Sequence, residues 1–221
     1  MKKILQKTIS VLIISNLFFG WSESAAQDVG NFYVNMPDKL NPTLSKQNRH
    51  ELLEYYKAGQ TDSITNRYGN HVSLNSVDTL NQILLVKNTP VSSFEMKVFN
   101  LNNDSLAIGI IRTICGTVCQ SSVEFYDTAW NKIPLIFTMP KAIDWVNKDS
   151  LAVKNVDKQW VENVLENNFI SLSFATNARQ IVAKNNSAEF MSAADRKIIS
   201  PLLEEKKLIF QLEDRKWIVK P

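Results

Sequence analysis

The chain predicts an α+β domain: an antiparallel β-meander sheet with two to three amphipathic helices packed on it. Two observations point there. Between His71 and Tyr126, apolar residues recur at every second position in runs separated by short polar turns. On either side the spacing lengthens to three and four residues, at Leu44, Leu52, Leu53 and Tyr56 and again at Val156, Trp160, Val161, Val164 and Leu165. Consecutive strands joined by short turns usually pair with their neighbours, so a meander is the simplest sheet.

The first 26 residues have the grammar of a secretory signal. Lys2, Lys3 and Lys7 precede an apolar core from Ile9 to Phe19, and Ser24-Ala25-Ala26 supplies small residues for cleavage before Gln27. That core is shorter than the roughly 20 residues of a membrane span; an uncleaved interfacial anchor is the alternative. The expected organisation is therefore a cleaved signal peptide, 1–26, and a single secreted domain, 27–221, in the periplasm or at the cell surface. Cleavage would remove three lysines and one glutamate from the 25 basic and 22 acidic residues, taking the net charge from +3 to +1. With no basic block elsewhere, neither nucleic acid nor an anionic membrane is expected as a partner, and no membrane span is expected after cleavage.

Along the remaining chain, Asn31 to Pro37 reads as a short extended segment closed by proline. Asn41-Pro42 looks like a helix start, and Gly59 like the residue that ends it, which predicts a helix over 42–58. Val72 and Leu74, then Ile83 to Val86, suggest two strands joined near Asp78. Phe94, Met96 and Val98 alternate with Glu95 and Lys97, the pattern of a strand with one wet face. Ile108, Ile110, Ile111 and Ile114 leave little polar surface on either face, as in a strand covered on both sides. Val123 and Phe125 alternate with Ser122 and Glu124 in the next strand. After an irregular stretch over 141–154 come a helix near 156–166, a strand from Ile170 to Phe174 with a hairpin partner at Arg179 to Lys184, and a helix capped by Ser192 and broken at Pro201. A hairpin around Glu213-Asp214-Arg215 closes the chain. Leu44-Ser45-x-x-Asn48-Arg49 and Met191-Ser192-x-x-Asp195-Arg196 echo one another, which allows two similar lobes.

Residues spread over this whole span resemble an exported family of unknown function from Bacteroides-type Gram-negative anaerobes. They are Phe32-Tyr33-x-x-Met36-Pro37, Leu44-x-x-x-x-Arg49 with Leu52-Leu53, Arg112-Thr113-x-Cys115, Ser121 to Tyr126, Trp130, and Asp195-Arg196 to Leu203 before an aromatic hairpin. The hairpin departs from the pattern, with Phe210 and Trp217 in the opposite order. The resemblance implies a secreted domain and brings no catalytic residue with it.

Cys115 and Cys119 would stand ~13 Å apart on a straight strand, but a turn at Gly116-Thr117-Val118 makes them face one another. An oxidising compartment then favours a disulfide, with unpaired thiols or a redox or metal pair as alternatives. His50 and His71 have no ligand spacing around them, and no Gly-x-Ser-x-Gly elbow, phosphate loop or dinucleotide fingerprint occurs. No catalytic residue, metal or cofactor is predicted. Five triplets read Asp, Ser/Thr, then a small or aliphatic residue, where roughly one or fewer is expected by chance, and these place candidate acceptor residues at Ser63, Thr79, Ser105, Thr128 and Ser150. They resemble the O-glycosylation motif of Bacteroides-type bacteria, although Asp-Ser and Asp-Thr also favour turns on their own. Tyr126, Trp130 and Trp145 are candidate contacts for a ligand or partner, Trp145 as the one most open to solvent. The function expected is a non-enzymatic module binding a protein or glycan; a hydrolase with an unrecognised site and an accessory subunit of an envelope complex are the alternatives.

Overall fold

The computed structural model describes residues 28–220 except 61, 103–104, 155, 177–178 and 205–206. The expected signal peptide, its cleavage site and Asp104 of one triplet lie outside the described residues. The chain folds as two antiparallel sheets with helices, an α+β architecture.

Helix α1, Val29–Asn35, occupies the segment read as extended. Phe, Tyr and Val favour strands, but Val29, Phe32, Tyr33 and Met36 recur at helical spacing and all bury against the sheet. Asp28 caps the helix by accepting the Asn31 N–H at 2.7 Å. Helix α2, Lys46–Lys57, begins four residues later than the Asn41-Pro42 signal suggested. Ser45 is its cap, in a reciprocal capping box with Asn48. Asn41 instead accepts the Thr43 hydroxyl in the preceding turn. At the other end Gly59 takes φ +71°, and the Gly59 and Gln60 N–H groups return to the carbonyls of Tyr56 and Tyr55, a Schellman ending.

The first sheet runs in sequence order: β1 Ile64–Thr65, β2 His71–Asp78, β3 Ile83–Thr89, β4 Ser92–Asn102, β5 Ser105–Cys115 and β6 Cys119–Tyr126. This is the expected meander. Ile108 and Ile110 of β5 face the core under α1 and α2, whereas Ala107 and Ile111 face a second core, so the strand is covered on both sides. The second core is formed by a separate sheet of β7 Ile170–Phe174, β8 Gln180–Asn185, β9 Leu208–Glu213 and β10 Lys216–Val219, in the order β10-β9-β8-β7.

The face of β4 read as wet is thereby covered. Glu95 Oε1 accepts the Phe174 N–H at 2.9 Å, and Lys97 Nζ donates to the carbonyls of Ala175 and, at 3.0 Å, Thr176. Ser121 Oγ likewise accepts the Leu172 N–H at 3.0 Å. The backbone groups that β7 would otherwise leave open are thus taken by side chains of the first sheet.

A third apolar cluster joins the 3₁₀ turn Ala142–Trp145, α4 Lys158–Val164 and α6 Ala193–Ile199. The stretch read as irregular holds that turn and a short helix α3, Lys148–Lys154. Helix α5, Ser187–Phe190, precedes α6, which is capped by Ser192 as its sequence suggested. The sequence echo corresponds to one local device used twice. Arg49 donates to the carbonyls of Val34, Met36 and Leu44, and Arg196 to those of Ala188, Glu189 and Met191. Each arginine satisfies the open end of the short helix before it. The strands do not repeat: α1 and α2 precede the larger sheet, while α5 and α6 interrupt the smaller one.

Candidate functional site: an apolar pocket beside the disulfide hairpin

The β5–β6 hairpin closes at the pair Cys115–Cys119, which are bonded, with the turn through Gly116, Thr117 and Val118. The Cys115 N–H donates to the Val91 carbonyl at 2.7 Å, which ties the β3–β4 turn to the same end. Two β-branched side chains are left facing solvent there, Ile114 at 67% and Val91 at 53% exposure. Opposite stands α5 with Phe190, 51% exposed, its ring 4.7 Å from that of half-buried Phe169. Between hairpin and helix lies a cavity of about 370 Å³, lined by Ile114, Val118, Phe169 and Phe190 with Thr117 and Gln120 at its polar edge.

A four-residue helix has no stability of its own, so the position of Phe190 needs a cause. Buried Asn186 donates its amide to the Cys119 carbonyl at 2.9 Å, and buried Ser187 accepts the Phe169 N–H at 3.0 Å. The Asn186 N–H returns to the Phe169 carbonyl at 2.8 Å, and Arg196 holds the far end of α5 through three carbonyls. These polar contacts fix an exposed phenylalanine against a stapled hairpin. Among the described residues the lining carries no titratable side chain, and its apolar walls suit it to hold an apolar group.

None of the three aromatics suggested by the sequence lines this pocket. Trp145 is the opposite of the exposed residue expected: it is 1% exposed, packed in the core between the sheets. Tyr126 and Trp130 do meet, with ring centroids 6.0 Å apart, but Tyr126 is buried and Trp130 half-buried against the helix-side core. The Tyr126 hydroxyl donates to Glu124 at 2.9 Å, and Arg112 and Lys132 close on the same carboxylate at 3.0 and 2.9 Å. The Lys132 bond is the main reason that the Glu124 carboxyl is held below its usual range, against an opposing contribution from burial. That cluster pins the loop after β6 and keeps Tyr126 buried.

Burial pushes Glu95 up to about 7, and burial likewise lowers Lys97, but both are occupied by the backbone of β7 and its following turn. Ser63 Oγ lies 3.5 Å from His71 Nδ1, both exposed. Among the described residues no group of three or more His, Cys, Asp or Glu could hold a metal ion, and no helix is long and apolar enough to cross a membrane.

The acceptor candidates divide by exposure. Ser63, Thr79 and Thr128 are exposed, whereas Ser105 and Ser150 are half-buried, Ser150 within α3. Asp78 accepts from the Asn81 backbone at 2.9 Å and its amide at 2.7 Å, and Asp127 is held by Asn131 in the same way at 2.8 and 3.0 Å. Both carboxyls sit below their usual range, chiefly through those asparagine amides.

The sequence pattern of a described family of proteins of unknown function, DUF3256, matches residues 21–217. The chain belongs to this family. No curated protein matches it. A solved domain of an uncharacterised protein from Porphyromonas gingivalis W83 shares the fold with a TM-score of 0.70. The similarity covers 87% of this DUF3256 chain and 97% of that one at 15% sequence identity, so it speaks to the fold alone.

Proposed function

We propose that this DUF3256 protein is an exported, non-enzymatic protein-binding module whose partner inserts an apolar side chain between Ile114 and Phe190. The observation that carries the reading is Phe190, held exposed by buried Asn186 and Ser187 and by Arg196. Small apolar pockets walled by rigid aromatics are where protein interfaces concentrate their binding energy. A glycan ligand is disfavoured by burial of Trp145, Trp217 and Tyr126, which leaves no stacking platform among them. Cleavage between Ala26 and Gln27 would deliver the domain to the periplasm or cell surface, a compartment in keeping with the disulfide.

The test is site-specific photocrosslinking from Gln120, at the pocket's edge, in the native envelope. One partner should be captured, and Phe190→Ser should reduce capture at least tenfold without changing the circular dichroism. Capture of equal strength in the Phe190→Ser protein, or none in the parent, would overturn the proposal.

The same reading makes the protein a substrate for O-glycosylation, with Thr79, Thr128 and Ser63 occupied ahead of Ser105 and Ser150. Asparagine-pinned turns account for Asp78 and Asp127 without any glycan, but they do not account for Leu80, which is 91% exposed beside Thr79. The intact mass of protein from its native envelope should exceed that of the chain starting at Gln27, and the excess should shrink in Thr79→Ala and Thr128→Ala. A mass with no excess rules this out.

A further inference from the structure

The apolar pocket beside the disulfide hairpin has a counterpart at the opposite end of the same sheet. Strands β2 and β3 are joined by the turn 79–82, and Leu80 on that turn is 91% exposed, more than any other large hydrophobic residue among those described. The β3–β4 and β5–β6 turns close the other end, where the Cys115 N–H meets the Val91 carbonyl and the pocket lies. Successive turns of an antiparallel meander fall at alternate ends, so Leu80 and the pocket are separated by the length of β3. That strand has seven residues and spans about 23 Å.

A lone surface leucine is common; Leu80 differs in being held out. Asp78 accepts the Asn81 N–H at 2.9 Å and its side-chain amide at 2.7 Å. Gln82, at φ +55°, donates its amide to the Thr79 carbonyl and accepts the Val29 N–H at 2.8 Å, which anchors the turn to α1. The turn is therefore fixed before any contact forms, and little freedom is left to lose on docking. The pocket is fixed in the same way, by Asn186, Ser187 and Arg196. An apolar knob and an apolar hole, out of each other's reach on one chain, can meet across two copies.

We propose, resting on the reading of the pocket given above, that its partner is a second copy of this chain, whose Leu80 enters between Ile114 and Phe190. Because the two surfaces differ, the contact is heterologous: each bound copy leaves one pocket or one Leu80 open, and the assembly extends head to tail. Among the described residues no charged side chain lines the pocket, so entry of a leucine desolvates no charge there. A sugar on Thr79 would crowd Leu80, so glycosylation of that site would limit the extension.

The test is sedimentation velocity of the purified protein, without sugar on Thr79, over a range of concentrations. Species larger than a dimer should appear as the concentration rises. Leu80→Ser and Phe190→Ser should each weaken self-association about tenfold or more. Both side chains are more than half exposed, so both variants keep the fold, which circular dichroism checks. Mixed in equal amounts, the two variants should form a one-to-one dimer that grows no further, because one intact Leu80 meets one intact pocket. A parent that stays monomeric or stops at a dimer, a Leu80→Ser protein that associates as the parent does, or a mixture that stays monomeric would each overturn the proposal. Photocrosslinking from Gln120 separates this proposal from the one it rests on: capture of a different protein leaves the pocket a docking site and removes only the second copy as its occupant.

Discussion

Gly109 shows how much can depend on one missing methyl group. A Cβ built there would lie 2.6 Å from Cζ of Phe174 and 3.4 Å from Phe125, both buried in the core between the sheets. The requirement is steric, because β5 runs directly beneath the aromatic end of β7. Gly109→Ala should therefore destabilise the protein by about 1–3 kcal/mol, the usual range for overpacking, measured by urea unfolding. Phe174→Leu placed behind it should recover part of that loss. If the two changes simply add, the contact is not the cause. Arg49 is the complementary case: a fully buried guanidinium whose removal would strand the Val34, Met36 and Leu44 carbonyls. Neither role is visible in the sequence, where Gly109 interrupts an isoleucine run and Arg49 sits among helix-surface residues. Both depend on segments distant in the chain.

At the scale of elements, the features set by local chemistry were legible and those set by packing were not. The β4–β5–β6 meander follows from period-two alternation and polar turns, and α6 from its Ser192 cap. Residues 29–36 have strand-like side chains, yet their buried positions follow helical spacing, so tertiary burial overrode β-propensity. The disulfide was legible because a turn was the only route by which two cysteines so close in sequence could meet. The pocket beside it was not: Ile114 looked like the end of a buried strand, and Phe190 carried no periodic signal in a four-residue helix. Replacing Cys115 and Cys119 by serine should cost about 2 kcal/mol, as expected for a short loop. The hairpin should survive, since its paired register continues through Ile114–Gln120 and Thr113–Ser121. The check is the unfolding midpoint together with amide shifts: a loss of all β5–β6 signals would show that the staple is needed for the hairpin to form.

For the molecule as a whole, the join between the sheets makes stability depend on pH. Glu95 and Lys97 looked like the wet face of β4 because alternation marks only that two faces differ, and it does not tell water from a second sheet. Burial in that seam raises Glu95 to about 7, from an ordinary 4.5, although the Phe174 N–H and Lys97 both favour its charged form. Lys97 faces it on the same strand, with Asp78 acting on Lys97 from β2. Between those two values the folded protein holds a proton that the unfolded chain has released. Glu95 therefore contributes stability that is fully present below about pH 4.5 and is lost as the pH rises through 7. The full difference is about 3 kcal/mol at 1.36 kcal/mol per pH unit. Glu95→Gln keeps an oxygen to accept the Phe174 N–H but has nothing to titrate. Urea unfolding from pH 5 to pH 8.5 should show the parent losing about 3 kcal/mol relative to Glu95→Gln, with most of the loss between pH 5 and 7. Parallel profiles for the two proteins would mean that the seam admits enough water to keep Glu95 charged throughout.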